Sequence, residues 1–208
     1  MAESVSELFC PAILVLARHG EAEYERPGLS DDGGSLTRAG RRQARELAER
    51  LAGDRVAAVW CSDMSRSVQT AEIAAATLGL ETVTVASGLR EISVGDHHGT
   101  PLRTGLLDPQ LRAWEDGRLA ARVPGGESGA EVVARLRASL EAAADQYRGE
   151  TVLLVSHGWA IRVAVSQLCV NVRRARSWDL DHGQAARISA GSEDWRLQTW
   201  AGARVSEN

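Results

Sequence analysis

Ile13-Leu14-Val15-Leu16-Ala17-Arg18-His19-Gly20 is an apolar run that stops on a cation and an imidazole. Far along the chain the pattern returns as Val152-Leu153-Leu154-Val155-Ser156-His157-Gly158. A third run, Val56-Ala57-Ala58-Val59-Trp60, ends in Cys61-Ser62-Asp63-Met64-Ser65-Arg66. Short apolar runs bounded by polar residues read as core strands. Each delivers reactive or cationic side chains just past its carboxyl end, the edge of an open α/β sheet at which ligands bind. Two imidazoles and two guanidiniums meeting there suit a phosphoryl group, with one ring as nucleophile and the other groups holding negative oxygens.

The segments between these strands carry helical periodicity. Thr37 is a candidate N-cap, and Ala44, Leu47, Ala48 and Leu51 then share one face. A second helix is expected over Ser65–Leu78, and a short strand over Thr82–Val85. Strand-helix-strand-helix order predicts parallel pairing through right-handed crossovers. The stretch from Leu89 to Gly126 is different, rich in Gly, Pro, His and Arg, with a modest helix around Pro109–Trp114. It reads as an insertion over the site. Ser128-Gly129-Ala130-Glu131 fits a capping box ahead of a helix bearing Val133, Leu136, Leu140 and Tyr147. A strand at Thr151–Ser156 and a helix over Trp159–Cys169 follow. Ala186–Ala190 and Trp195–Trp200 alternate like edge strands. The expected fold is α/β, a three-layer α/β/α sandwich with a mostly parallel central sheet. It forms a single domain over 1–208, with a short lid insertion at about 92–126.

Composition narrows the function. All 24 basic residues are arginine, which excludes lysine Schiff bases, pyridoxal phosphate attachment and a P-loop lysine. The net charge of −4 gives no global pull toward nucleic acid or an anionic membrane, so neither is expected as a partner. Cys10, Cys61 and Cys169 are widely spaced and lack a C-x-x-C pairing, as reduced thiols of a cytoplasmic protein would be. The apolar stretch Leu8–Ala17 follows Glu3 and Glu7 rather than a basic segment, so it reads as the first strand and not as a signal sequence. No run approaches the roughly 20 apolar residues of a membrane span.

His19 is the candidate nucleophile. A neutral imidazole attacks phosphorus and splits one hard displacement into two easier ones. Arg18 and Arg66 offer planar, permanent charge matched to phosphate oxygens, and His157 a further donor. The glycine after each His lets backbone approach closely. Departure of the leaving group needs an acid, and Glu91 in Leu89-Arg90-Glu91 is the carboxyl best placed near a motif edge. Glu21 and Glu127 are alternatives, although Glu127 beside the cap at Ser128 reads as structural. His97 and His98 lack the carboxylate-His spacing of a metal site and read as solvated lid residues or leaving-group contacts. His182 reads as a loop residue.

With these residues in place the chain resembles the histidine phosphatase superfamily, also called the phosphoglycerate mutase-like family. The resemblance rests on five ordered segments. These are Leu16-Ala17-Arg18-His19-Gly20-Glu21, Leu36 to Ala44, Cys61-Ser62 through Arg66 to Glu72, Gly126-Glu127-Ser128, and Val155-Ser156-His157-Gly158. It implies His19 as the phosphorylated nucleophile and Glu91 as proton donor. Arg18, Arg66 and His157 would form the phosphate pocket, with no metal or other cofactor. Two stretches depart from the family pattern. Glu21-Ala22-Glu23-Tyr24-Glu25 replaces a Ser or Thr and a phosphate-touching Asn, and its carboxylates would repel a dianion if they faced the pocket. Gly95-Asp96-His97-His98-Gly99 replaces the usual Trp-Glu-Gly.

The function expected is a phosphoric monoester hydrolase acting on a small phosphorylated metabolite through a phosphohistidine, without a metal. Two alternatives stand beside it: a cofactor-dependent phosphoglycerate mutase and a non-catalytic phospholigand-binding protein. Against the mutase, the 92–126 segment holds no tyrosine and only Arg103, Arg112, Arg118 and Arg122 as cations. Exposed edge strands near the carboxyl terminus would permit a homodimer.

Overall fold

The computed structural model describes residues 10–24, 33–100, 105–172 and 179–205. The first strand, β1 (Ala12–Arg18), is followed by the two-residue strands β2 (Ala22–Glu23) and β3 (Ser35–Leu36), which pair with each other. Next come α1 (Arg38–Arg50), β4 (Val56–Cys61), α2 (Ser65–Leu78) and β5 (Val83–Val85). The remainder is α3 (Asp108–Glu115), α4 (Gly129–Gln146), β6 (Thr151–Ser156), α5 (Gly158–Leu168), β7 (Ala185–Ala190), β8 (Trp195–Trp200) and β9 (Ala203–Arg204). The local signals act as read. The Thr37 side chain accepts from the Gly40 amide at the start of α1, and Ser128 with Glu131 closes a capping box on α4.

The main sheet has seven strands in the order β5-β4-β6-β1-β7-β8-β9. The four strands β5, β4, β6 and β1 are parallel, and β7, β8 and β9 add antiparallel on the β1 side. Two expectations change in detail. The strands β1 and β4 are parallel but not neighbours, because β6 lies between them. All six residues of β6 are buried, as the middle of a sheet covered on both faces requires. Nor are β7 and β8 edges. The strand β7 pairs with β1 and β8 on its two sides, and the short β9 caps β8. Alternation in β7 therefore reflects two differently covered faces and not an open margin; the carboxyl-terminal edge of the sheet is the short β9.

Alternate residues of the central strands feed two cores, which makes the three layers. Leu14, Leu16, Trp60, Val152 and Leu154 meet Leu136 and Leu140 of α4 and Ile161 and Val165 of α5. Val15, Ala17, Val59, Cys61, Leu153 and Val155 meet Leu47 and Ala48 of α1 and Ala71, Ala74 and Ala75 of α2. The 92–126 segment, expected over the site, puts Ile92, Val94, Leu107, Leu111, Trp114 and Val123 into the first core. Trp114 is fully buried, its indole N–H donating to the Ala121 carbonyl at 2.7 Å. An ion pair between Glu115 and Arg162 ties α3 to α5. Among the described residues, no helix is long and apolar enough to cross a membrane.

Candidate active site

Because β4, β6 and β1 are parallel neighbours, their carboxyl ends meet at one edge. The register pairs Arg18 with Ser156 and Cys61 with Val155. One step beyond, the His19 amide donates to the Ser156 carbonyl at 3.0 Å and the Ser62 amide to that of Val155 at 3.2 Å. The backbone ladder thus fixes where the chain leaves each strand. The His19 and His157 ring centroids stand 5.0 Å apart, and Arg66, in the first turn of α2, places Nε 3.2 Å from His19 Nε2.

The hydrogen bonds of His19 fix its tautomer. Its Nδ1 lies 2.7 Å from the Gly20 carbonyl oxygen, which only accepts, so Nδ1 carries the proton. Nε2 is left with a lone pair, on which the Arg66 Nε–H is directed. Burial, followed by the Arg66 charge, pushes the His19 pKa well below its ordinary value. The ring is therefore neutral and nucleophilic at neutral pH. The loop that holds it depends on two glycines. A Cβ on Gly20 would run into the Gly40 carbonyl, and one on Gly40 into the Glu21 carbonyl. The close approach permitted by Gly20 is thus to the start of α1, where a ligand contact was expected. At Gly158 a Cβ would make only ordinary contact with Arg18, whose Nε would lie 3.4 Å away.

His157 is fully buried and also held neutral, by desolvation first and by the neighbouring cations and His19 after it. Its Nε2 is 2.8 Å from Ser62 Oγ. That oxygen also lies 3.4 Å from the Met64 amide, a donor, and among the described residues only His157 Nε2 is placed to accept the hydrogen of this buried hydroxyl, which satisfying the hydroxyl requires. Ser62 therefore donates to Nε2, and the His157 proton sits on Nδ1. Among the described residues, the buried Nδ1 has no hydrogen-bond partner, and the same is true of Arg18 Nε. Arg18 is anchored by a 2.7 Å bond from its guanidinium to the Leu180 carbonyl. Two buried donors without acceptors at one sheet edge are what an absent anion would satisfy.

Glu91 is half-buried and sits at the amino end of α5. Its Oε1 accepts from the amides of Ile92 (3.0 Å) and Ala160 (2.8 Å), and its Oε2 from that of Trp159 (3.2 Å). These donors and the charge of Arg66 favour the carboxylate. Burial outweighs them, and the pKa lies above the ordinary glutamate value. The other carboxyls are engaged elsewhere. Glu127 receives Arg135 Nε at 2.6 Å and the Ser93 amide at 3.0 Å, which makes it structural as expected. Glu21 is exposed and takes the Thr37 hydroxyl at 2.6 Å.

Sequence reasoning missed several contributors. Arg135 of α4 binds the carbonyls of Gly88, Arg90 and Glu91 and so clamps the segment carrying the acid. Thr70 accepts from the Gly20 amide at 3.0 Å. The Tyr24 ring lies 5.5 Å from the Arg66 guanidinium carbon. His182 lies with its ring centroid 5.3 Å from that of His19. A histidine or serine in a loop carries no periodic signal. Only the proximity of Ser62 to a strand end pointed inward. Arg90, next to Glu91, pairs with Asp63, and Arg112 of the insertion with Asp108. Arg103 and Glu25 lie outside the described residues. His98 is exposed and His97 half-buried, in a short turn at Gly95–His97.

Comparison with known proteins agrees with this geometry. The model of the histidine phosphatase superfamily (branch 1) matches residues 14–202. The probable phosphoglycerate mutase GpmB of Yersinia enterocolitica is 33% identical over 194 residues, covering 89% of this chain and 88% of that protein. Phosphoglycerate mutase-like protein 4 of Arabidopsis thaliana is 30% identical over 195 residues, covering 91% of this chain and 84% of its own. Among solved structures, a mycobacterial glucosyl-3-phosphoglycerate phosphatase superposes with a TM-score of 0.69 at 29% identity, over 92% of this chain and 99% of that one. With its family model matched from the first strand to the last strands of the sheet, this chain belongs to the histidine phosphatase superfamily.

Proposed function

We propose that the protein is a phosphomonoesterase that hydrolyses a small phosphorylated metabolite through a phosphohistidine, with no step that requires a metal. The observation that carries this reading is the state of His19, a neutral ring with Nδ1–H held by the Gly20 carbonyl and an unprotonated Nε2. The Nε2 lone pair, met by the Arg66 Nε–H, is available to phosphorus once that guanidinium turns to the phosphoryl oxygens. Arg18, Arg66 and the Nδ1–H of His157 hold the phosphoryl oxygens. His19 Nε2 attacks phosphorus, the N–P bond forms and the P–O ester bond breaks. Glu91 gives its proton to the departing oxygen, which leaves as an alcohol. Water then attacks the phosphohistidine, Glu91 takes the water proton, and inorganic phosphate and free His19 are released.

The names of similar proteins divide between mutase and phosphatase. A mutase must keep water from its phosphohistidine. Here Ile92, Val94, Leu107, Leu111 and Trp114 of the insertion are committed to the core, which favours hydrolysis. The test is phosphate release from an aryl phosphate in EDTA, comparing wild type with His19→Ala. Release that survives EDTA and vanishes in the variant is expected. Turnover by His19→Ala above about a few per cent of wild type would sink the assignment, since the uncatalysed reaction is among the slowest known. Rapid interconversion of 3- and 2-phosphoglycerate would favour the mutase instead.

A further inference from the structure

A third imidazole shares this edge of the sheet. The His182 ring stands 5.3 Å from His19, against 5.0 Å for His157, so two rings stand at nearly equal distance from the His19 ring. The turn that presents His182 is fastened to the site itself. Its Gly183 amide donates to the Arg18 carbonyl at 3.1 Å, the Arg18 amide to the Gln184 carbonyl at 2.9 Å, and the Arg18 guanidinium to that of Leu180. Gly183 has φ +75°, and a Cβ there would lie 3.1 Å from that of Gln43, so the turn has little freedom to place the ring elsewhere.

Among the described residues, nothing accounts for the polarity of that ring, and its nitrogens make no hydrogen bond. Core packing does not explain it either, because His182 is only half-buried; it also borders a separate cavity of about 530 Å³, beside Gln43, Glu46 and Arg50, whose described lining includes none of Arg18, His19, Arg66 or His157. Burial and the cations Arg18 and Arg66, opposed by Glu21 and Asp181, lower its pKa to about 4. It is thus an uncharged imidazole with one unused N–H, half-buried beside the nucleophile and the two guanidiniums.

We propose that His182 is a further phosphate-binding residue, whose ring N–H bonds an oxygen of the phosphoryl group held at His19. This rests on the site being a phosphate site, as proposed above. His182 stands at nearly the same distance from His19 as His157 does, and it completes a set of two guanidiniums and two imidazoles around one nucleophile.

The experiment is calorimetric binding of inorganic phosphate to wild type, His182→Ala and His182→Gln, with thermal denaturation of each. Loss of one hydrogen bond to a charged group weakens phosphate binding about tenfold in His182→Ala. The amide N–H of His182→Gln restores most of it, while the melting temperatures stay close to wild type. In wild type, the His182 ring nitrogen resonances shift when phosphate is added. Wild-type affinity in His182→Ala, a glutamine variant as weak as alanine, or resonances that do not move would each overturn the proposal while leaving the phosphatase reading intact. A wild-type protein that binds no phosphate overturns both.

Discussion

Replacing Glu91 by glutamine separates proton donation from binding. The amide oxygen in place of Oε1 keeps the bonds from Ile92 and Ala160 at 3.0 and 2.8 Å. The amide nitrogen then takes the place of Oε2 and faces the Trp159 N–H across 3.2 Å, donor against donor. Turning the amide over would set its nitrogen against two donors, so the first orientation is retained. One orphaned amide costs about 1–3 kcal/mol of stability, and in a domain of this size each kcal/mol lowers Tm by about 2–4 °C. The variant therefore remains folded at room temperature. Its chemistry changes far more. A positioned general acid contributes about 10²–10⁴ in rate, which is about 3–5.5 kcal/mol of barrier. That loss is expected in kcat/KM, which reports formation of the phosphohistidine and not its hydrolysis, for an alkyl phosphate, whose alkoxide leaves poorly. It should shrink to less than about tenfold for nitrophenyl phosphate, whose leaving group departs as an anion. Steady-state kinetics on the two esters provide the assay. Equal losses on both, or an unimpaired alkyl ester, would refute Glu91 as the acid and return Glu21 and Glu127 to consideration.

Two further outcomes follow from the same geometry. Ser62→Ala removes the donor that sets the His157 tautomer, leaving a buried nitrogen unpaired, so stability falls by about 1–3 kcal/mol. Phosphate inhibition should weaken with it, and unchanged inhibition would show that the proton on His157 Nδ1 is not used. The pH profile of kcat/KM should show no inflection at the ordinary histidine value of 6.5. His19 and His157 have depressed pKa values, so both stay neutral as pH falls through 6.5 and charge only well below it. The stability they contribute is likewise present above 6.5 and lost as pH falls through their folded values. The raised pKa of Glu91 keeps the acid form above its ordinary 4.5, and activity declines as pH rises through that raised value. Activity that instead climbs through an inflection near 6.5 would mean that His19 titrates as an ordinary, exposed ring.

Much of the fold is legible because its signals are local. The runs ending at Arg18, Trp60 and Ser156 are strands, Thr37 and Ser128 cap helices, and α2 spans the residues its periodicity marks. What escaped depends on partners distant in sequence. No local pattern says that β6 enters between β1 and β4, or that β7 is interior, since strand order is set by which faces are covered in the finished sheet. Arg135 looks like one more charge on a helix, yet it binds carbonyls 44 to 47 positions away. His182 sits in a turn without a motif, and its place beside His19 follows from β7 pairing with β1. Arg18, His19, Arg66 and His157 were readable because each ends, immediately follows or closely trails a core strand. The acid was harder, because its environment comes from α4 and α5.

The position of β6 also has a consequence for how activity is acquired during folding. The strands β1 and β4 can form early with their helices, but they become joined only when a strand some ninety residues beyond β4 (Val56–Cys61 to Thr151–Ser156) inserts between them. Closing so long a loop is entropically slow and is rewarded only on completion. His19 and Arg66 then come within reach of each other in the same event that delivers His157. A nascent chain that has not yet made β6 can hold much of its helical content without a catalytic centre, so recovery of turnover during refolding should lag behind recovery of helix. Assembly of the His19–Arg66–His157 cluster thus reports insertion of β6, and a chain that has not reached that step cannot hold the three side chains together.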